Sequence, residues 1–350
     1  MIRKKDNLLI NRGINPLNFG LNDIINDNNN FINSMNLIAQ NSILPINSPF
    51  EAHPYSHLMN YNYEYEIFIM GTFPPISYLY DTCLNIINLR KEVQGRKIPK
   101  SQFPFFHGNK NLMWDYFLTT IEKNNLNILN RNFKPQFLTN KLTQSKINYG
   151  DLIEFCQREK DYNANDINLY NIIINERLIK ALFNNKQAKY ILFNTSSIYN
   201  QNGISIDSNT GLIDIENSIS AFDLFIFNLQ KYNFDIEVRI NMGLVIFPWT
   251  PINNLPLNHR CHKLAFELKI KNTNSIEFEN LLKIDEERIF NICTPLSPAV
   301  AHRYPNNLST NPIIANWLIN NPGMLPKDFL YNVYQNFRNS NWNALYSLNC

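Results

Sequence analysis

A chain of 350 residues, 44% of them hydrophobic, is long enough to bury a sizeable core in one large domain or two smaller ones. Its formal net charge of +3, from 32 Lys and Arg against 29 Asp and Glu, is mildly basic and does not by itself argue for a nucleic-acid partner. Five scattered cysteines (Cys83, Cys156, Cys261, Cys293 and Cys350) without a C-x-x-C pair argue against a disulfide framework and against an iron–sulfur or zinc site.

The charged fraction, 17%, lies below the roughly 25% usual in soluble proteins, and asparagine supplies much of the polar surface instead. Met1–Asp6 is not followed by the apolar stretch of a signal peptide, and no run approaches the ~18 apolar residues of a membrane span. The expectation is a soluble, cytoplasmic, monomeric protein with reduced thiols and no metal or cofactor. His259-Arg-Cys-His262 has no further ligands at useful spacing and reads as a surface turn.

In chain order, residues 1–52 form an Asn-rich extension with the polar run Asn26–Asn30 and breaks at Pro45 and Pro49, expected to be partly helical. A main domain then spans 53–320, beginning near His53-Pro54-Tyr55. Ile67–Met70 is short and apolar enough for a buried strand; Gly71 ends it, and Pro74 and Pro75 forbid a regular continuation. Tyr78–Leu89 has helical spacing. Arg90–Lys100 holds five basic residues and one acidic one, including Arg96, Lys97 and Lys100, and reads either as a solvated loop or as a phosphate-contacting one. Trp114–Asn124 predicts a helix with Trp114, Phe117, Leu118 and Ile121 on one face.

Tyr149–Arg158 is expected to be a loop entering a short helix, and Asn175–Phe183 a helix with Leu178, Ile179 and Leu182 inward. Tyr190–Asn194 is a second buried-strand candidate and Phe222–Lys231 a helix. Val238–Trp249 is apolar or alternating. Ile289–Cys293 is a strand with Thr294–Pro298 as its loop, and Asn311–Ile319 is a helix. Residues 321–350 form an aromatic-rich tail, helical from Phe329 and packed on the core. Strands alternating with helices point to an α/β domain with a mainly parallel sheet, and the strand ends near 71, 194 and 294 imply a ligand cleft at one sheet edge.

Three loops in this order, Gly71-Thr-Phe-Pro-Pro75, Phe105-Phe-His-Gly-Asn-Lys-Asn-Leu-Met-Trp114 and Thr294-Pro-Leu-Ser-Pro-Ala299, resemble the motifs of the uracil-DNA glycosylase superfamily. The mismatch-specific and hypoxanthine-type branches are the nearest. Gly150–Arg158 and Ile191–Asn194 fall where such proteins carry matching segments, so the likeness covers about residues 53–320. It implies a three-layer α/β/α sandwich with a short, mainly parallel sheet and insertions. It also implies hydrolysis of an N-glycosidic bond after a damaged, deaminated or modified base is flipped out of DNA.

Carried residue by residue, the resemblance gives Gly71, Thr72, Phe73, Pro74, Phe106, His107 and Asn194 to the base pocket. Phe73 is either the stacking wall or core, and Asn194 either reads a base edge or simply ends a strand. Phe73 occupies the position where many branches carry a water-activating Asp or Asn. The water then falls to Asn111, which otherwise caps the helix beginning near Leu112, or to Asp151, also readable as a cap. His302 is the candidate to stabilise the departing base. Arg96, Lys97, Lys100, Lys110, Ser297, Pro298 and Arg303 are the candidate DNA contacts. A glycosylase-like DNA-binding module without catalysis is the alternative, and a small-molecule hydrolase or nucleotide-binding protein a third class.

Overall fold

The computed structural model describes residues 50–53, 63–73, 114, 135–158, 169–193, 204–206, 213–215, 221–231, 234–240, 244–248, 265–272, 287–295 and 312–348. Along the chain these form β1 (Phe50–Ala52), β2 (Ile67–Gly71), α1 (Pro135–Gln144), β3 (Ile147–Asp151), β4 (Ile153–Arg158) and β5 (Leu169–Ile174). Next come α2 (Glu176–Asn184), β6 (Tyr190–Phe193), β7 (Ile204–Ile206), β8 (Ile213–Ile215), α3 (Ala221–Lys231), β9 (Phe234–Ile240) and β10 (Leu244–Pro248). Last are β11 (Ala265–Asn272), β12 (Arg288–Cys293), α4 (Pro312–Asn320), α5 (Pro326–Arg338) and α6 (Trp342–Ser347).

The larger sheet has the order β10-β9-β11-β12-β6-β2-β3. Neighbours from β12 to β3 pair in parallel, and those from β10 to β12 pair antiparallel. The sequence differs between the two halves for a physical reason. Parallel strands are sheltered on both faces and read as unbroken apolar runs; every residue of β2 is buried, and so are Ile191, Leu192 and Phe193 of β6. The antiparallel strands alternate. Phe234, Ile236, Phe266, Leu268, Ile270, Phe290 and Ile292 are buried, while Glu237, Lys269 and Asn291 between them are only partly covered. On that polar face Lys269 pairs with Glu287 at 2.7 Å and more loosely with Glu237 at 3.9 Å.

Helices meet both faces. Phe183 of α2 stacks on Phe234 and stands edge-on to Phe290, each at 5.8 Å, and Phe222 and Phe225 of α3 pack on Phe193 of β6. On the opposite face Trp342 of α6 stacks on Tyr190 at 5.4 Å, and the Tyr346 hydroxyl donates to Asn291 Oδ1 at 3.1 Å. The last turn of α2 is held from the sheet. The Arg288 guanidinium donates to the carbonyls of Phe183 (2.6 Å), Asn185 (3.0 Å) and Ala188 (3.1 Å) while lying over the Phe290 ring. A cation there satisfies carbonyls that the helix leaves open and offsets its negative end.

A second, antiparallel sheet has the order β1-β4-β5-β8-β7. The segment Tyr149–Arg158, expected as a loop entering a helix, instead ends β3 and continues as β4 after Leu152 alone. Asp151 and Glu154 within it, and Asn148 just before it, are buried polar residues, which masks the apolar periodicity of a strand. The apolar stretch 238–249 falls on the antiparallel β9 and β10. The smaller sheet begins at Phe50, so its first strand lies inside the segment set apart as an extension. The tail consists of α5, with Phe329, Leu330, Val333, Tyr334 and Phe337 buried, and α6. At the coarse level the sequence expectation of a mixed α/β protein is met, with the parallel strands flanked by antiparallel ones. No helix among the described residues is long and apolar enough to cross a membrane.

Candidate functional site

The four parallel strands β12, β6, β2 and β3 bring their carboxyl ends to one sheet edge, because their registers match Cys293 with Leu192, Met70 with Phe193 and Gly71 with Asp151. Loops leaving such an edge enclose the usual ligand crevice of an α/β sheet. Beyond the paired ends, main-chain bonding continues: the Leu152 amide donates to the Gly71 carbonyl at 2.9 Å and the Ile153 amide to the Thr72 carbonyl at 3.0 Å. The Gly71–Phe73 turn is thereby fixed against the β3–β4 junction, and Gly71, Thr72 and Phe73 are all buried.

His53 closes this corner. Its amide donates to the Glu154 carbonyl at 2.8 Å, anchoring the residue beside β4. Its Nε2 lies 2.9 Å from Asp151 Oδ2, with the two side chains 0% and 4% exposed. A carboxylate can only accept, so Nε2 carries the hydrogen and donates it. The same ring stands edge-on to Phe73, centroids 5.6 Å apart at 87°. One buried imidazole therefore touches both the candidate stacking wall and the candidate water-orienting carboxylate.

An ion pair backs this hydrogen bond. Arg177 of α2 donates to Glu154 Oε1 at 3.2 Å. Burial pushes the Glu154 carboxyl up from its ordinary value, and the Arg177 charge pulls it back down. The Asn175 side chain caps α2 by accepting from the Leu178 amide, and its own amide donates to the Leu152 carbonyl at 2.7 Å. Both peptide groups of Leu152 are thus committed, one to β2 and one to the start of α2.

Of the residues singled out from sequence, Gly71, Thr72, Phe73 and Asp151 stand together at this edge. Asp151 is a strand residue and caps no helix. Pro74, Arg96, Lys97, Lys100, Phe106, His107, Lys110, Asn111, Asn194, Ser297, Pro298, His302 and Arg303 lie outside the described residues. Three of their described neighbours can be placed, two of them at the same edge and one, Trp114, on the middle of β3. Trp114 is helical and buried, edge-on to Tyr149 of β3 at 6.3 Å. Phe193 ends β6, and buried Thr294 follows β12. The residue that sequence reasoning missed is His53, whose partner is 98 positions away; no local pattern reports such a pairing.

Among the described residues no group of three or more His, Cys, Asp or Glu side chains is arranged to hold a metal ion. Comparison with protein-family models, with curated proteins and with solved structures finds no match to this chain.

Proposed function

We propose that this chain is a monofunctional DNA glycosylase that hydrolyses the N-glycosidic bond of a flipped damaged, deaminated or modified base and leaves an abasic site. The observation that carries the proposal is the buried corner formed by Gly71-Thr72-Phe73 and Asp151 at the carboxyl edge of parallel strands. Phe193 and Thr294, which flank two of the other motif loops, lie at that same edge, and Trp114, which flanks a third, packs on Tyr149 in the middle of β3. On this reading the architecture is the three-layer α/β/α sandwich of the uracil-DNA glycosylase superfamily, with the β1-β4-β5-β8-β7 sheet as an elaboration.

The chemistry sets four demands. An extruded base has to be stacked, and Phe73 supplies a ring whose tilt is already set by His53. Phe106, His107 and Asn194 complete the pocket. Water has to be oriented at the anomeric carbon while positive charge develops on the sugar. A buried carboxylate there both accepts from the water and stabilises the oxocarbenium-like transition state. Asp151 is favoured over Asn111 for that task, because it carries charge and is already oriented by a hydrogen bond. His302 stabilises the departing base. Arg96, Lys97, Lys100, Lys110, Ser297, Pro298 and Arg303 hold the DNA backbone.

The test is single-turnover base release from labelled duplexes containing uracil, hypoxanthine, xanthine or a hypermodified pyrimidine, followed by alkali cleavage. The proposal expects an alkali-labile break at one of these bases. Salt-dependent DNA binding with no release from any substrate would instead assign the chain to a catalytically inactive DNA-binding module. Absence of both would remove the nucleic-acid reading altogether.

A further inference from the structure

We infer that His53 is the positioning residue of this site, holding Asp151 as an oriented carboxylate and Phe73 as an oriented wall through a single ring; the catalytic half of this inference rests on the glycosylase reading. The grounds are geometric. His53 is 2% exposed although it lies outside the larger sheet, in the short segment next to β1. Its main chain is tied to Glu154, its Nε2 to Asp151 and its edge to Phe73. Core packing alone would be met by an apolar ring, whereas the 2.9 Å bond requires a donor directed at one carboxylate oxygen. The bond directs the ring's Nε2 hydrogen at Oδ2 and so holds the carboxylate, whose negative charge is the one needed opposite a sugar that becomes cationic. The bond fixes Oδ2 and so defines where the other carboxylate oxygen, Oδ1, is held.

Two measurements on the full-length protein decide the matter. In the first, 15N-edited NMR of histidine-labelled protein is compared between wild type and Asp151→Asn, with the His53 signals assigned by their loss in His53→Gln. The expected result is a hydrogen on Nε2 in wild type and a clear shift of the His53 ring nitrogens in Asp151→Asn. Identical His53 signals in the two proteins would show that the pair does not exist, whatever the chain does to DNA.

The second is single-turnover base release by His53→Phe and His53→Gln. His53→Phe keeps a ring but no donor and should slow release by about 100-fold, the scale expected when a reacting group is misplaced by about 1 Å. DNA affinity should stay within about twofold of wild type. His53→Gln, which restores an N–H, should recover at least about tenfold of that loss, as its carboxamide can donate to the same oxygen. Equal losses in both variants, with unchanged melting temperatures, would reduce His53 to a packing residue and overturn the proposal. If His53→Phe fails to fold, His53→Gln and the spectrum of Asp151→Asn decide it. A wild-type protein that releases no base would sink the glycosylase reading and the catalytic role together, and the NMR comparison would still report on the pair.

Discussion

Gly71 and Asp151 face each other as the last paired residues of β2 and β3, and the chain beyond each is bonded to the chain beyond the other. A residue without a side chain beside a buried carboxylate leaves backbone and carboxylate as the groups that a ligand at this edge would meet. On the proposed function, Asp151 is the group that acts at this edge.

Asp151→Asn keeps shape and hydrogen-bonding capacity but removes the charge. Base release should fall by about 100-fold or more, with DNA binding nearly unchanged, since only a transition-state interaction is removed. Asn111→Ala is the companion variant. If it abolishes release while Asp151→Asn leaves the rate untouched, the water belongs to Asn111 and Asp151 is a structural carboxylate.

Glu154 and Arg177 make a pH-dependent prediction. The folded-state pKa of Glu154 is raised above 4.5, chiefly by burial, with Arg177 opposing the rise. In the window between 4.5 and that higher value the folded state binds the proton more tightly than the unfolded one. Stability from this group is therefore complete below pH 4.5 and is lost as pH rises through the folded value. Arg177→Ala removes the opposing charge and should destabilise the protein by about 3 kcal/mol near neutral pH. The loss should shrink toward zero in acid, and Glu154→Gln in the same background should flatten the profile. Urea unfolding from pH 4 to pH 8 reads all three; a pH-independent loss would mean that packing, and not the pair, is responsible.

From a strand of the larger sheet, Arg288 clamps three carbonyls, those of Phe183 in the last turn of α2, of its cap Asn185 and of Ala188 in the turn before β6. Charge-assisted bonds of this kind contribute more than neutral ones, and Arg288→Ala should cost about 2–3 kcal/mol. Arg288→Lys should restore only part, because one ammonium cannot reach three acceptors in a planar fan. Denaturant midpoints at unchanged m-value are the measurement.

Neutralising Arg96, Lys97 and Lys100 together should weaken DNA affinity and reduce the slope of log K against log salt by up to about 3, roughly one for each phosphate no longer neutralised. An unchanged slope would return the 90–100 segment to a solvated loop.

The sequence was informative where one residue's surroundings decide its structure. Ile67–Met70 reads as a buried strand, and Leu178, Ile179 and Leu182 spell out an amphipathic helix over Asn175–Phe183, although Asn175 proves to be its cap and not its first turn. The alternation of Phe266, Leu268 and Ile270 with Glu267, Lys269 and Lys271 was equally open to reading, although β11 is not among the expected elements. β3 and β4 were not legible. Asn148, Asp151 and Glu154 are buried by partners far along the chain, so the segment carries polar residues where a strand pattern would show apolar ones. The site divides in the same way. Gly71 and Phe73 announce themselves by the break after an apolar run, whereas His53 acquires its meaning only when the fold sets it against Asp151.

Leu152 is all that separates the two sheets, and its amide and carbonyl are both taken, by Gly71 and Asn175. Such a splice leaves no slack. The smaller sheet and the Asp151 carboxylate are therefore joined through a single residue of chain whose amide and carbonyl are both held. On the proposed function, substitutions on β5 or β8 should change the rate of base release although they lie away from the carboxylate, which makes this joint the place where the smaller sheet would act on the site.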